Sequence, residues 1–108
     1  MAHPFAAEEL ARLDRWTAAH VPALGEGELR AETVSGGTSN IVVRLTRDGG
    51  DGVAPLILRK APADAPPASE KAIQREATVL EALKGSRVPH PGFYGYCPDS
   101  AIVGGPFY

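Results

Sequence analysis

The chain holds one cysteine, one methionine and one tryptophan in 108 residues. Cys97 alone cannot close an internal disulfide, which suits a reducing cytoplasm. Charge of one sign is also missing. Eleven Lys and Arg against 13 Asp and Glu leave a net charge of −2, with no electrostatic pull toward nucleic acid or an anionic membrane. No apolar run has the length a bilayer requires. The opening "MAHPFAAEEL" has neither the basic head nor the apolar stretch of a secretory signal. Two phosphate-binding fingerprints are absent as well. "VSGGTSN" is no Walker A loop, because no Gly-Lys-Ser/Thr follows it. Nor is it a dinucleotide fingerprint, because its spacing is wrong and a strand-prone run follows where a helix should start.

What is present is ordinary for one soluble globular domain: 44% apolar and 22% charged residues. Phe5, Leu10, Leu13 and Trp16 recur near helical spacing among Glu8, Glu9, Arg12 and Asp14, which predicts a helix over 6–20. "PALGEGE" breaks it. Residues 29–34 and 40–48 read as strands, and "PLILRK" as a third beyond the turn-forming "GGDGVAP". After the linker-like segment 61–68, Ser69 is a candidate N-cap for a helix that stops at Gly85, with Glu70 in its first turn. "VPHPG" is an extended connection. "FYGYCPDSAIVGGPFY" predicts two more short strands around a turn at Pro98-Asp99-Ser100. The expected architecture is α+β, an antiparallel five-stranded sheet with one packed helix and an N-terminal helix.

Three features carry chemistry. Ser35, Gly36, Gly37, Thr38, Ser39 and Asn40 join two strands with small polar residues, and the glycines let backbone N–H groups approach a ligand. Taken alone the stretch is a hairpin turn or an anion cradle. The third strand ends on Arg59 and Lys60. Alternation puts Ile57 and Arg59 on one face and Leu56, Leu58 and Lys60 on the other. In the second helix Ile73, Ala77, Leu80 and Leu83 mark an apolar stripe, and Glu76 falls inside it. An unpaired carboxylate there costs on the order of several kcal/mol. Glu76 therefore asks for a cation, and Arg59 or Lys60 is near enough to supply one. The plainer readings are a solvated strand edge for the two cations and a snorkelling head for Glu76. His3 and His20 read as surface histidines, and Cys97 as a buried apolar residue.

A Gly-rich turn between two strands, a cation closing the third and an inward Glu on the next helix make the phosphate-handling half of a kinase. The loop would cover the phosphates, the cation grip them and the carboxylate hold the cation. Ile57 and a valine of the second strand would roof the adenine. "GGTSNIVVRL", "LILRKAPAD", "REATVLEAL" and "VPHPGFYGYCPDSAIVGGPFY" resemble the N-terminal lobe of the aminoglycoside phosphotransferase/choline kinase-like family. The resemblance runs from about residue 30 to the end and extends to the kinase-like part of some acyl-CoA dehydrogenase fusions.

That resemblance implies a helical segment over 1–28 and a protein kinase-like N-terminal lobe over 29–108. It implies a nucleotide-binding loop from Ser35 to Asn40, Ile57 over the base, Arg59 on the phosphates with Lys60 as the alternative, and Glu76 as partner to the cation. It implies ATP with Mg2+, and a small-molecule hydroxyl as acceptor. The family's catalytic base and metal ligands lie in a C-terminal lobe, in motifs resembling His-Gly-Asp…Asn and Asp-Phe/Trp-Glu/Asp. Neither motif occurs here. The expectation is the ATP-binding lobe of a small-molecule phosphotransferase, truncated before the hinge and inactive alone, with the missing lobe as its partner. The alternative is a non-catalytic kinase-like module kept for nucleotide binding or protein contact.

Overall fold

Helix α1 (Ala7–His20) forms where the apolar spacing predicts it. Its N-cap, Ala6, has no side-chain acceptor, so Glu9 reaches back and accepts the Ala6 N–H at 2.9 Å. Glu8 and Glu9 also place negative charge in the first turn, where the helix dipole favours it. A single 3-10 turn, Pro22–Leu24, follows and ends at Gly25, whose φ of 87° suits glycine alone. The computed structural model describes residues 5–35, 41–48, 55–62, 66–89 and 91–108.

Strands β1 (Leu29–Ser35), β2 (Ile41–Arg47) and β3 (Leu56–Lys60) pair antiparallel in that order. The register sets Ala31 opposite Leu45, Val43 opposite Leu58 and Val42 opposite Arg59. Partners across a ladder project to the same side. One face therefore carries Leu29, Val43, Leu45 and Leu58, and the other Val42, Ile57 and Arg59. The first face is the core. It is buried with Phe5, Leu13, Val21, Leu24, Cys97, Val103 and Phe107, while Leu10 and Trp16 pack against its margin. Between Thr33 and Ser35 the β1–β2 ladder slips by one residue, a bulge beside the glycine loop.

One side chain ties the sheet to α1. The Arg47 side chain is 5% exposed and forms an ion pair with Asp14 Oδ1 at 2.7 Å. It also donates to the carbonyls of Gly27 and Asp14 and to Thr17 Oγ1. An arginine on the core face is tolerable because its fork is fully used.

The expected five-stranded, protein kinase-like lobe is corrected here, because the described residues form a three-stranded sheet with two helices. The residues expected to make a fourth and fifth strand contribute single bridges only, Lys60 to Phe107 and Cys97 to Phe107. Around those bridges Tyr108 exchanges both backbone hydrogen bonds with Arg59, and Phe107 exchanges both with Cys97. Composition explains why pairing stops there. Pro98 and Pro106 donate no N–H, and Gly95, Gly104 and Gly105 weaken any extended run. The intervening turn closes through the Gly104 N–H to Ser100 O. Gly105 is needed for close approach, since a Cβ there would sit 3.2 Å from the Ala61 carbonyl oxygen.

Helix α2 (Pro67–Leu83) begins three residues earlier than a Ser69 cap implies. Pro67 takes the first helical position, where a missing N–H costs nothing, and Ser69 donates its own N–H to Pro66 O. The helix stops before Gly85, at φ 77°. It packs against β3 and buries Ile73 and Ala77, which lie outside the main core cluster. None of the described helices is long and apolar enough to cross a membrane.

Candidate functional site

Strand β3 and helix α2 frame a cavity of about 1040 Å³. From β3 its wall takes Leu56, Ile57, Leu58 and Arg59; from α2, Ala72, Arg75, Glu76, Val79 and Leu80. The segment after α2 adds Phe93 and Tyr94, and the end of the chain adds Phe107 and Tyr108. Trp16, Val21 and Leu24 close it from the α1 side. The lining is mainly apolar, yet its side chains are far from fully covered: Ile57, Val79 and Tyr94 are each about half exposed. Exposed apolar groups around a large concavity are the usual dress of a small-molecule site.

The two cations at the end of β3 point to opposite faces of the sheet. Arg59 is exposed and lines the cavity. Lys60 points to the core face, is 4% exposed and is not part of the wall. Burial there pushes the Lys60 ammonium below its ordinary value, opposed in part by the charge of Glu9.

Glu76 does stand on the cavity wall, half-buried, as its place in the helical stripe predicts. Its partner differs from the expected one. The Tyr108 hydroxyl donates to Glu76 Oε1 at 2.6 Å, a short hydrogen bond of the charge-assisted kind. Among the described residues no ion pair joins Glu76 to Arg59. Burial, and then the adjacent Glu76 carboxylate, push the Tyr108 phenol far above its ordinary range, while the nearby Arg59 charge acts against them. Arg59, Tyr108 and Glu76 thus form one cluster. Tyr108 is anchored to Arg59 through the backbone and to Glu76 through its side chain.

Of the remaining expected site residues, Ser35 ends β1 beyond the bulge. Gly36, Gly37, Thr38, Ser39 and Asn40 lie outside the described residues. Sequence reasoning missed Arg75, Phe93 and Tyr94 as wall residues, and Tyr108 as the partner of Glu76. The missed signal was chemical: a carboxylate in an apolar stripe is satisfied by a phenol as well as by a cation. Among the described residues no three His, Cys, Asp or Glu side chains come together to hold a metal.

No family model matches the chain, and no solved structure does. Over 53 residues, 49% of this chain, it is 43% identical to acyl-CoA dehydrogenase family member 10 of Mus musculus. That stretch covers 5% of the mouse protein, so the similarity concerns one short part of a much longer chain.

Proposed function

We propose that this chain forms the nucleotide-holding part of an ATP-dependent small-molecule phosphotransferase. One observation carries the reading. Ile57, Arg59 and Glu76, picked out of the sequence for a shared chemistry, stand on the wall of a single cavity of about 1040 Å³. That volume is at the upper end of the roughly 300–1,000 Å³ of small-molecule sites. Ile57 and the aromatic rings of Phe93 and Tyr94 suit a flat base. The Arg59 guanidinium offers a bidentate fork to a phosphate. The partial likeness to acyl-CoA dehydrogenase family member 10 agrees with the sequence resemblance to the kinase-like part of such fusions.

The proposal gives this chain the nucleotide, while the family resemblance places the metal ligands in a C-terminal lobe. Bound Mg2+ in a phosphotransferase neutralises charge developing on the phosphate oxygens. Its ligands, the base that orients the acceptor hydroxyl and the contacts that choose the acceptor are proposed to come from residues outside this chain. Nucleotide binding is tested by titrating the isotope-labelled chain with MgATP and following amide shifts. Shifts should centre on Ile57, Arg59 and Glu76, Arg59→Ala should weaken binding at least tenfold, and Lys60→Ala should leave it within about twofold. Saturable binding elsewhere, or none at millimolar MgATP, would sink the proposal.

A further inference from the structure

A carboxylate grips a cation well only when its own position is settled. Glu76 stands on α2, and α2 meets the sheet only at β3 among the closer element contacts. The helix buries two residues, Ile73 and Ala77, a thin apolar seam for 17 residues. Such a seam gives α2 a short apolar hold on the sheet, and Tyr108 adds a polar tie to it. Its backbone N–H and C=O are both paired with Arg59, at 3.0 and 2.9 Å. Its ring therefore starts from the same rung of the sheet as the guanidinium. Its hydroxyl ends on Glu76 Oε1 at 2.6 Å. Phe93 leans on that ring with centroids 6.4 Å apart, which limits its swing.

We infer that Tyr108 is the positioning residue of this site: it locks the Glu76 carboxylate at a set distance from Arg59 by tying α2 to the β3 rung that carries Arg59. The hydroxyl occupies Oε1, and among the described residues no hydrogen bond reaches Oε2. That second oxygen is the acceptor offered to Arg59 when an anion draws the guanidinium into the cavity. Tyr108 touches neither phosphate nor base in this role. It acts through Glu76, and the inference rests on the nucleotide reading above.

Two measurements on the full chain test it. In the first, tyrosine labelled with 13C at Cζ is titrated with pH in the wild type and in Glu76→Gln. The phenol of Tyr108 should ionise at distinctly lower pH in the variant, because the neighbouring negative charge and its hydrogen bond are gone. An unmoved titration overturns the inference, since the bond would then be absent in solution. In the second, MgATP affinity is compared for Tyr108→Phe, Glu76→Gln and the double variant, with Tyr96→Phe, which is not part of the cavity wall, as a control. Tyr108→Phe should weaken binding about five- to tenfold, and the double variant should bind no more weakly than Glu76→Gln alone. The Tyr96→Phe control should stay near the wild type. Wild-type affinity in Tyr108→Phe, even with a lowered melting temperature, overturns the inference and leaves the bond as a structural tie only. If the wild type binds no MgATP at all, the nucleotide reading fails and the positioning role with it. A shifted Tyr108 titration in that case shows that the bond itself was correct.

Discussion

On one side of β3, Leu58 is 3% exposed and packs in the core cluster with Leu13 and Phe107; on the other, Ile57 is 52% exposed beside the exposed Arg59. The two residues are neighbours in sequence and have similar side chains. What separates them is what the fold sets opposite each. The core face is covered by α1, the Pro22–Leu24 turn and the Cys97–Phe107 segment, and even its arginine is satisfied through Asp14, Thr17 and Gly27. The opposite face leaves Ile57 and Arg59 exposed, and the cavity beside them runs past the strand to take in Leu58 and Phe107 as well. Arg59 remains unpaired among the described residues.

Mutations that act on one face and spare the other sharpen this contrast. The largest effect belongs to Leu13→Ala, at a fully buried position. It should cost about 3 kcal/mol, because the lost transfer energy is joined by the cost of a cavity. For a domain of this size that brings the chain near unfolding at 37 °C; urea denaturation followed by circular dichroism measures it. Arg47→Ala comes next at about 2 kcal/mol, because it strands Asp14 and Thr17 and removes the tie from β2 to α1. A double-mutant cycle with Asp14→Ala should show coupling well above that of the exposed Arg44–Glu32 pair, whose charges are 3.7 Å apart and mostly solvated.

A smaller effect of opposite sign is expected at Lys60. Its ammonium is held below the ordinary value of 10.5 by burial, so the unfolded chain holds that proton more tightly than the folded one. Between the lowered folded value and 10.5 the unfolded state binds more protons, and stability rises with pH across that window. Lys60→Met should therefore stabilise the chain by about 1 kcal/mol at neutral pH. The gain should shrink as pH climbs through the window, and thermal melts at pH 7 and pH 10 would show it. An equal gain at both values would mean that packing and not charge was at issue. The smallest change in stability should come from Ile57→Ser, within about 0.5 kcal/mol for so exposed a site. Its effect should appear as weaker MgATP binding. If Ile57→Ser unfolds the chain instead, the contrast between the two faces is wrong.

The elements that sequence located best are those whose signal is local. The helix over Ala7–His20 rests on recurring apolar residues, β2 on Ile41, Val42 and Val43, and the end of α2 on Gly85. The stretch from Phe93 to Tyr108 misled, because its aromatic and β-branched residues favour strand while its prolines and glycines interrupt the ladder. Whether such residues pair depends on how much continuous edge the neighbour offers, and β3 is five residues long. At the site, period-two alternation put Arg59 and Lys60 on opposite faces of β3, and the preference for Arg59 came from the family resemblance. Glu76 followed from helical spacing. The phenol that meets it did not, because Tyr108 and Glu76 are 32 residues apart and no local pattern links them.

Sequence by itself therefore determined which residues face which way along each element, since a helix repeats every 3.6 residues and a strand every two. It determined that Ile57 and Arg59 share a side, and that Glu76 turns toward the apolar seam of its helix. Tertiary structure decided what meets what: that the chain ends in single bridges where further strands were expected, that Arg47 is buried on Asp14 and Thr17, and that a tyrosine takes the carboxylate meant for a cation. Those outcomes depend on the distance between segments far apart in the chain. Periodicity constrains direction within an element and carries no information about that distance.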